Sequence, residues 1–520
     1  MKIILALFFI ICIPNFILSQ NRMVKGQVFL DENKNEVFDN GEPTIPNVAI
    51  SNGRDVVQTD KKGKYVIKVD NDETIFLIKP SGYISKLSED NVPLNYTFNK
   101  PNGSPDFKFP GVKPQEIPKP YNFPLYKNEG EDTLKIALLG DTQTKTIDEV
   151  YYLSKVVSEK MLGENYDFIV PLGDITYDNL RLFDPIKRIL GKVGAPVYYV
   201  YGNHDRNYDA KELEHRDETY ESNFGPSYYA FTYGNQSFIT LNNVFPKPYY
   251  RYDALIDEDQ MEFVKGFLKT IPSENSVHLL MHIPLEELIN LKEFSLLFKD
   301  HPNVSAYAGH THTQFFETIS KEDGWISNGA VEELVAGAVC GSWWHGEKDM
   351  FGVPQAMMAD GTPKGFWVMS LENNKKTYEY EVSEPDNRQM HIWTPFDFER
   401  ELIEIDSKDI IANVYAGNKD TEVQVKIGEG EWQDMIYSED LDPYFLRLNK
   451  LQIMEITPTE NSVKLGKPKQ SEHLWKFPIP ENLEPGIYTI TVRASNKYGL
   501  DATAHTMLFH IDNSEYFIDK

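Results

Sequence analysis

Phe168-Ile169-Val170-Pro171-Leu172-Gly173-Asp174 is a short apolar run that stops on a glycine and a carboxylate. Four more stretches share its grammar. Leu134–Leu139 runs into Gly140-Asp141-Thr142-Gln143, and Val197–Tyr201 into Gly202-Asn203-His204-Asp205. Val277–Met281 runs into His282, and Val304–Ala308 into Gly309-His310-Thr311-His312. Short apolar runs bounded by glycine and polar residues read as buried strands. In an open α/β sheet the ligand crevice lies beyond the carboxyl ends of the strands. Five polar clusters at five such ends therefore converge on one place. Asp, His and amide oxygens suit divalent metals, and a pair of close metals suits phosphate ester hydrolysis.

The 520 residues suffice for about three domains at the usual ~150 residues each. Between the apolar runs lie helical patterns, Asp148–Met161 and Asp257–Thr270. Alternation of strand and helix over 134–382 predicts a layered α/β catalytic domain. Before it, 23–111 alternates over Lys25–Leu30 and Tyr65–Val69, with turn clusters at Ser51-Asn52-Gly53 and Asp60-Lys61-Lys62-Gly63. That pattern predicts a small β-sandwich domain. Pro110, Pro114, Pro118, Pro120 and Pro124 make the stretch leading into the catalytic domain proline-rich, and 112–133 reads as an extended, semi-rigid linker. Past the catalytic domain, Val423–Ile427, Leu474–Phe477 and Tyr488–Ala494 read as strands of an immunoglobulin-like sandwich over 385–516.

A formal net charge of −27 argues against nucleic acid or an anionic membrane surface as the main partner. It leaves phosphate substrates open, because bound metals reverse the local field. Residues 1–19 read as a signal peptide, with Lys2 ahead of an apolar segment and Ser19 at its end. Bulky Ile11 before Cys12 argues against lipidation, so a secreted or periplasmic protein is expected. No later stretch approaches the ~20 apolar residues of a membrane span. Once the signal is removed only Cys340 remains, so no internal disulfide forms, and Cys340 reads as a small buried hydrophobe.

The five motifs, in this order, resemble those of the calcineurin-like metallophosphoesterases over roughly Leu134–Leu371. The flanking β domains resemble those of a secreted bacterial subgroup, with an SdrD-like or carboxypeptidase-regulatory-like domain in front. The resemblance implies an αββα core and two divalent metals, manganese first, with iron or zinc as alternatives. It assigns one metal to Asp141, Gln143, Asp174 and His312, and the other to Asp174, Asn203, His282 and His310, with Asp174 bridging. Gln143 stands where the family usually has histidine, and an amide oxygen shifts preference toward oxygen-loving metals. The resemblance makes His204 the proton donor to the leaving oxygen, with Asp205 orienting it. Attack by a metal-bridging hydroxide on a phosphate ester follows, diesters slightly favoured over monoesters. The competing reading is a binding or adhesion protein built on a degenerate phosphoesterase core.

Three further features carry chemistry. Arg206 is the cation beside the motifs, a candidate for the substrate phosphate. Trp343 and Trp344 on a glycine-flanked loop are candidates for an aromatic wall against the rest of the substrate, or for packing against the last domain. Asp31, Asn33, Asn35, Val37 (through its carbonyl), Asp39 and Glu42 fall at positions one, three, five, seven, nine and twelve of a calcium loop. Glu36 stands at position six, where that loop needs glycine.

Overall fold

The structure is a computed structural model and describes residues 22–128, 130–372, 375–383, 387–395, 408–453 and 465–510. The candidate signal peptide and Cys12 lie outside the described residues.

Two sheets form the catalytic body. The first contains β1 (Thr133–Leu139), β2 (Phe168–Pro171), β9 (Gly365–Glu372) and β10 (Lys375–Val382), in the order β2-β1-β9-β10. The second contains β3 (Tyr229–Tyr233), β4 (Gln236–Thr240), β5 (Ser276–Leu280), β6 (Val304–Ala308), β7 (Gln314–Ile319) and β8 (Val331–Ala336). Its order is β3-β4-β5-β6-β8-β7. Strands β1 and β2 pair in parallel, as do β4-β5-β6-β8, and β3, β7, β9 and β10 join antiparallel. Strands covered on both faces need continuous apolar runs, and every residue of β2 and β6 is buried. The two layered sheets are the α/β core that the resemblance implies, flanked by β-rich domains.

Four of the five runs are strands as expected. The fifth, Val197–Tyr201, is buried and extended but makes only an isolated parallel bridge to β2, with Tyr198 N–H on Ile169 O at 2.9 Å and Val200 N–H on Pro171 O at 3.0 Å. Pro171 has no N–H to return, which keeps the ladder incomplete. The helix expected over 257–270 spans Glu258–Leu268, capped by Asp257 on Gln260 N–H. The one expected over 148–161 is α-helical over Ile147–Leu153, then widens to a π-helical turn over Ser154–Ser158.

In front lie two four-stranded sheets, with a separate core around Val24, Val28, Ile50, Ile67 and Leu77. The proline-rich stretch is packed rather than suspended. Ile117 and Phe123 are buried in that core, and Phe123–Lys127 forms a parallel strand on Arg22–Leu30. The proline-rich stretch lies along the sheet because its apolar residues bury there, so it does not act as a free spacer.

Behind lie two more four-stranded sheets and an unexpected helix, Pro443–Ile453. Their apolar residues, Val414, Val423 and Trp475 among them, are continuous with the catalytic core. Phe316 on β7 stacks on Tyr498 at 4.8 Å, and Gln314 Nε2 donates to Tyr415 O at 2.6 Å.

Candidate metal centre

The seven residues expected as ligands are brought together from both sheets. Asp141 and Asp174 follow β1 and β2, while His282 and His310 follow β5 and β6. A continuous chain of contacts links all seven. Asp141 Oδ2 is 3.1 Å from His312 Nε2, and Asp141 Oδ1 is 3.6 Å from His282 Nδ1. His282 Nε2 lies 3.3 Å from Asp174 Oδ1, 3.0 Å from Asn203 Oδ1 and 3.2 Å from His310 Nδ1. Gln143 Nε2 donates to Asp174 Oδ2 at 3.0 Å. Donor atoms of Asp174, His282 and His310 all lie within 4.8 Å of one another.

The backbone is strained to achieve this. Gln143, Asp174, His310 and His312 have φ of 37°, 45°, 73° and 54°, a left-handed region costly for side chains with a Cβ. Gly173 takes φ of 91°, and a Cβ there would lie 2.6 Å from His282 Nδ1. A Cβ on Gly202 would lie 1.9 Å from Asp174 N. Both glycines are required by the close approach of two strand ends.

The donor set fits divalent metal. Fully buried Asp141 Oδ2 has no backbone donor, and the group facing it is His312 Nε2 at 3.1 Å. His282 Nδ1 donates to Leu172 O at 2.9 Å and His312 Nδ1 to Gly341 O at 2.7 Å, so each ring turns Nε2 inward. Electrostatics point the same way. Burial opposes charge on His282, but Asp174 and Asp141 outweigh it and raise its pKa to about 9. Burial opposes charge on Asp174 too, yet His282 and His204 hold it below the usual carboxylate range. Paired buried acids pull protons onto imidazoles because they lack a nearer cation.

His204 departs from expectation. Its Nδ1 lies 2.7 Å from Asp178 Oδ1, and its ring stacks on Tyr177 at 4.5 Å. Asp205 does not orient it. The Asp205 carboxylate instead accepts backbone N–H groups of Ile175, Thr176 and Gly202 at 3.1, 3.0 and 3.1 Å. It ties the Asp174 loop to the Asn203 loop. Two loops that bring ligands together leave inward N–H groups that need an acceptor.

Arg206 is likewise redirected. It is 3% exposed, with Nε donating to Asn203 O at 2.6 Å and the rest of the guanidinium facing Tyr250 O, Arg251 O and Tyr208. It braces the Asn203 backbone, and its donors are engaged by protein oxygens. The two tryptophans separate. Trp344 is buried, with Nε1 on Thr142 O at 3.1 Å. Trp343 is 39% exposed and stacks on His312 at 4.5 Å. Cys340 is fully buried, 3.7 Å from Gln143 Oε1.

Tyr252, 6.2 Å ring to ring from His310, and Tyr208, whose hydroxyl donates to Asn203 O at 3.0 Å, line the centre without any motif to announce them. In the first domain the candidate calcium loop is folded on itself. Asp31 accepts N–H from Asn35 and Glu36, Asn33 and Asn35 amides meet Asp39, and Glu42 accepts N–H from Glu32 and Asp39. Val37 is exposed at the loop surface.

Three family descriptions match the chain in order. "N terminal of Calcineurin-like phosphoesterase" covers 31–112, "Calcineurin-like phosphoesterase" covers 134–314, and "C terminal of Calcineurin-like phosphoesterase" covers 333–501. No curated protein matches. Among solved structures, a dimetal phosphatase from Danio rerio is 14% identical, with 48% of this chain and 96% of that one covered and a TM-score of 0.34. A purple acid phosphatase from yellow lupin (Lupinus luteus) seeds is 12% identical, with 65% and 66% covered and a TM-score of 0.34. The structure of PhoD is 11% identical, with 65% and 80% covered and a TM-score of 0.35.

Proposed function

Because this chain belongs to the calcineurin-like phosphoesterase family and is a metal-dependent phosphoric ester hydrolase, we propose that it is a secreted dinuclear enzyme that favours phosphate diesters. Asp141, Gln143, Asp174 and His312 hold one ion, and Asp174, Asn203, His282 and His310 the other. One observation carries this reading: seven oxygen- and nitrogen-bearing side chains at the ends of two sheets are linked in one chain of contacts, with donor atoms of Asp174, His282 and His310 within 4.8 Å of one another. Divalent ions at such a centre lower the pKa of water and neutralise phosphate charge. Manganese is the metal favoured, since Gln143 adds an oxygen donor where imidazole would favour zinc.

The protein's own groups do the rest. Asp178 fixes the Nδ1 side of His204, so the other ring nitrogen is the one that donates a proton to the leaving alcohol oxygen. Trp343 offers its exposed face to the alcohol part of the ester. What supports diester preference is the engagement of Arg206 with backbone carbonyls, which keeps the one cation adjoining the motifs in sequence from meeting a monoester's extra charge. Secretion rests on residues 1–19, and no helix among the described residues is long and apolar enough to cross a membrane. The same reading places calcium at Asp31–Glu42 on the strength of its ligand spacing.

Chelation of the purified protein should abolish hydrolysis of aryl phosphate esters, and Mn²⁺ should restore it best. Undiminished turnover by the chelated protein would overturn the metal reading. Faster turnover of aryl monoesters than of matched diesters would overturn the diester preference.

A further inference from the structure

The loop Gly309–Thr313 carries His310 and His312, and a segment from the far end of the chain lies against it. Lys469 Nζ donates to Thr311 O at 2.9 Å, between the two histidines. The approach is built rather than incidental. Lys469 N–H donates to Ala359 O at 2.9 Å, and Asn449 Nδ2 donates to Gly466 O at 2.7 Å. Leu465 is buried with Met357 and Phe445. A methyl group placed on Gly466 would meet the Trp343 ring at 3.7 Å. The C-terminal domain thus holds Leu465–Lys469 along the loop that presents Trp343, and sets an ammonium on the backbone between His310 and His312.

Lysine has three N–H donors, and Thr311 takes one. Thr311 stands between His310 and His312, so the ammonium is held on the backbone of the loop that carries both histidines. Arg206, the cation nearest in sequence, is turned away. Trp343 and Lys469 therefore flank the same ligand loop, one flat and apolar, the other cationic.

We propose that Lys469 is a specificity-determining residue, which binds an anionic group on the alcohol portion of the ester while Trp343 covers its apolar part. The substrate class is then a phosphate ester whose alcohol carries both a flat or apolar body and a second negative charge. This inference rests on the phosphoesterase reading of the centre. The C-terminal domain completes the substrate site instead of merely following it.

The test compares phenyl with 4-carboxyphenyl phosphate esters, each as monoester and diester, on the Mn²⁺-loaded full chain. Wild type should favour the carboxylated ester in kcat/KM by about fivefold, the scale of an exposed ion pair. Lys469→Met should bring that ratio near one, chiefly through KM, and Lys469→Arg should restore it. Lys467→Met, a nearby exposed lysine, should leave the ratio unchanged. The ratio should also shrink as salt is raised. Equal losses on both esters in Lys469→Met would mark a structural role and overturn the proposal, as would an unaltered ratio. Absence of hydrolysis of every ester would instead sink the phosphoesterase reading.

Discussion

His204 Nδ1 lies 2.7 Å from Asp178 Oδ1, and the carboxylate thereby holds the Nδ1 side of the ring. Burial disfavours charge on this ring, but the Asp178 hydrogen bond and the charges of Asp174, Asp178 and Asp205 carry its pKa above the usual histidine value. His204→Ala should keep both metals and lose on the order of 10²–10⁴ in rate. The loss should shrink for esters with good leaving groups, which need no proton. Asp178→Asn should lower kcat by roughly tenfold to a hundredfold with little change in KM, the range of a second-sphere partner. Equal damage across leaving groups would remove His204 from the acid role.

Gln143 faces two ways, with Nε2 on Asp174 and Oε1 toward Cys340 Sγ. Half a turn of the amide presents oxygen to the Asp174 side, which is the orientation a metal requires. Gln143→His should tighten zinc binding, since imidazole suits zinc better than an amide does. Gln143→Ala should weaken one site and spare the other in a calorimetric titration. Two unaltered affinities in Gln143→Ala would make the residue a hydrogen-bonding support of Asp174 alone.

Asp174 contacts Gln143, His204 N–H and His282 at once. Asp174→Asn removes the charge proposed to be shared by both ions. Metal analysis of the purified variant should show fewer than two ions per chain, with activity lost in parallel. Full occupancy would argue that Asp174 does not bridge.

Calcium should raise the Tm of the full chain, because a ligand that binds only the folded state stabilises it by mass action. Asp31→Ala should erase the shift while leaving Mn²⁺-supported activity in place. A melting curve indifferent to millimolar calcium would reject the loop as a site.

Glu333 provides a pH-dependent element away from the metal centre. Burial, joined by the charges of Glu317, Glu286 and Glu287, raises its pKa from 4.5 to about 8, and its Oε2 has no hydrogen-bond partner. Folded protein therefore holds a proton that unfolded protein releases between those values. Its contribution to stability is full below about pH 4.5 and is lost as pH rises through 8. Glu333→Gln should flatten the fall in Tm over that window. An unchanged slope would assign the pH dependence elsewhere.

What the sequence by itself determined was the set of strand ends and what stands on them. Apolar runs such as Val304–Ala308 must be buried on both faces, and a run that ends in Gly309-His310-Thr311-His312 puts histidines at the rim of a sheet whatever else the chain does. Local chemistry suffices for that, because strand formation and termination depend on neighbouring residues. Only the tertiary structure decided the roles of groups whose partners are remote or whose direction depends on a loop's path. Asp205 and Arg206 stand two and three residues past Asn203, yet they turn to backbone groups of Ile175, Thr176, Tyr250 and Arg251, because inward-facing backbone must be satisfied first. Trp343 and Trp344 are neighbours in sequence, but successive left-handed residues send one ring out over His312 and the other in against Thr142. Lys469 stands 158 residues from Thr311, a separation no local pattern reports, and only the packing of the last domain onto the α/β core brings its ammonium to the Thr311 carbonyl.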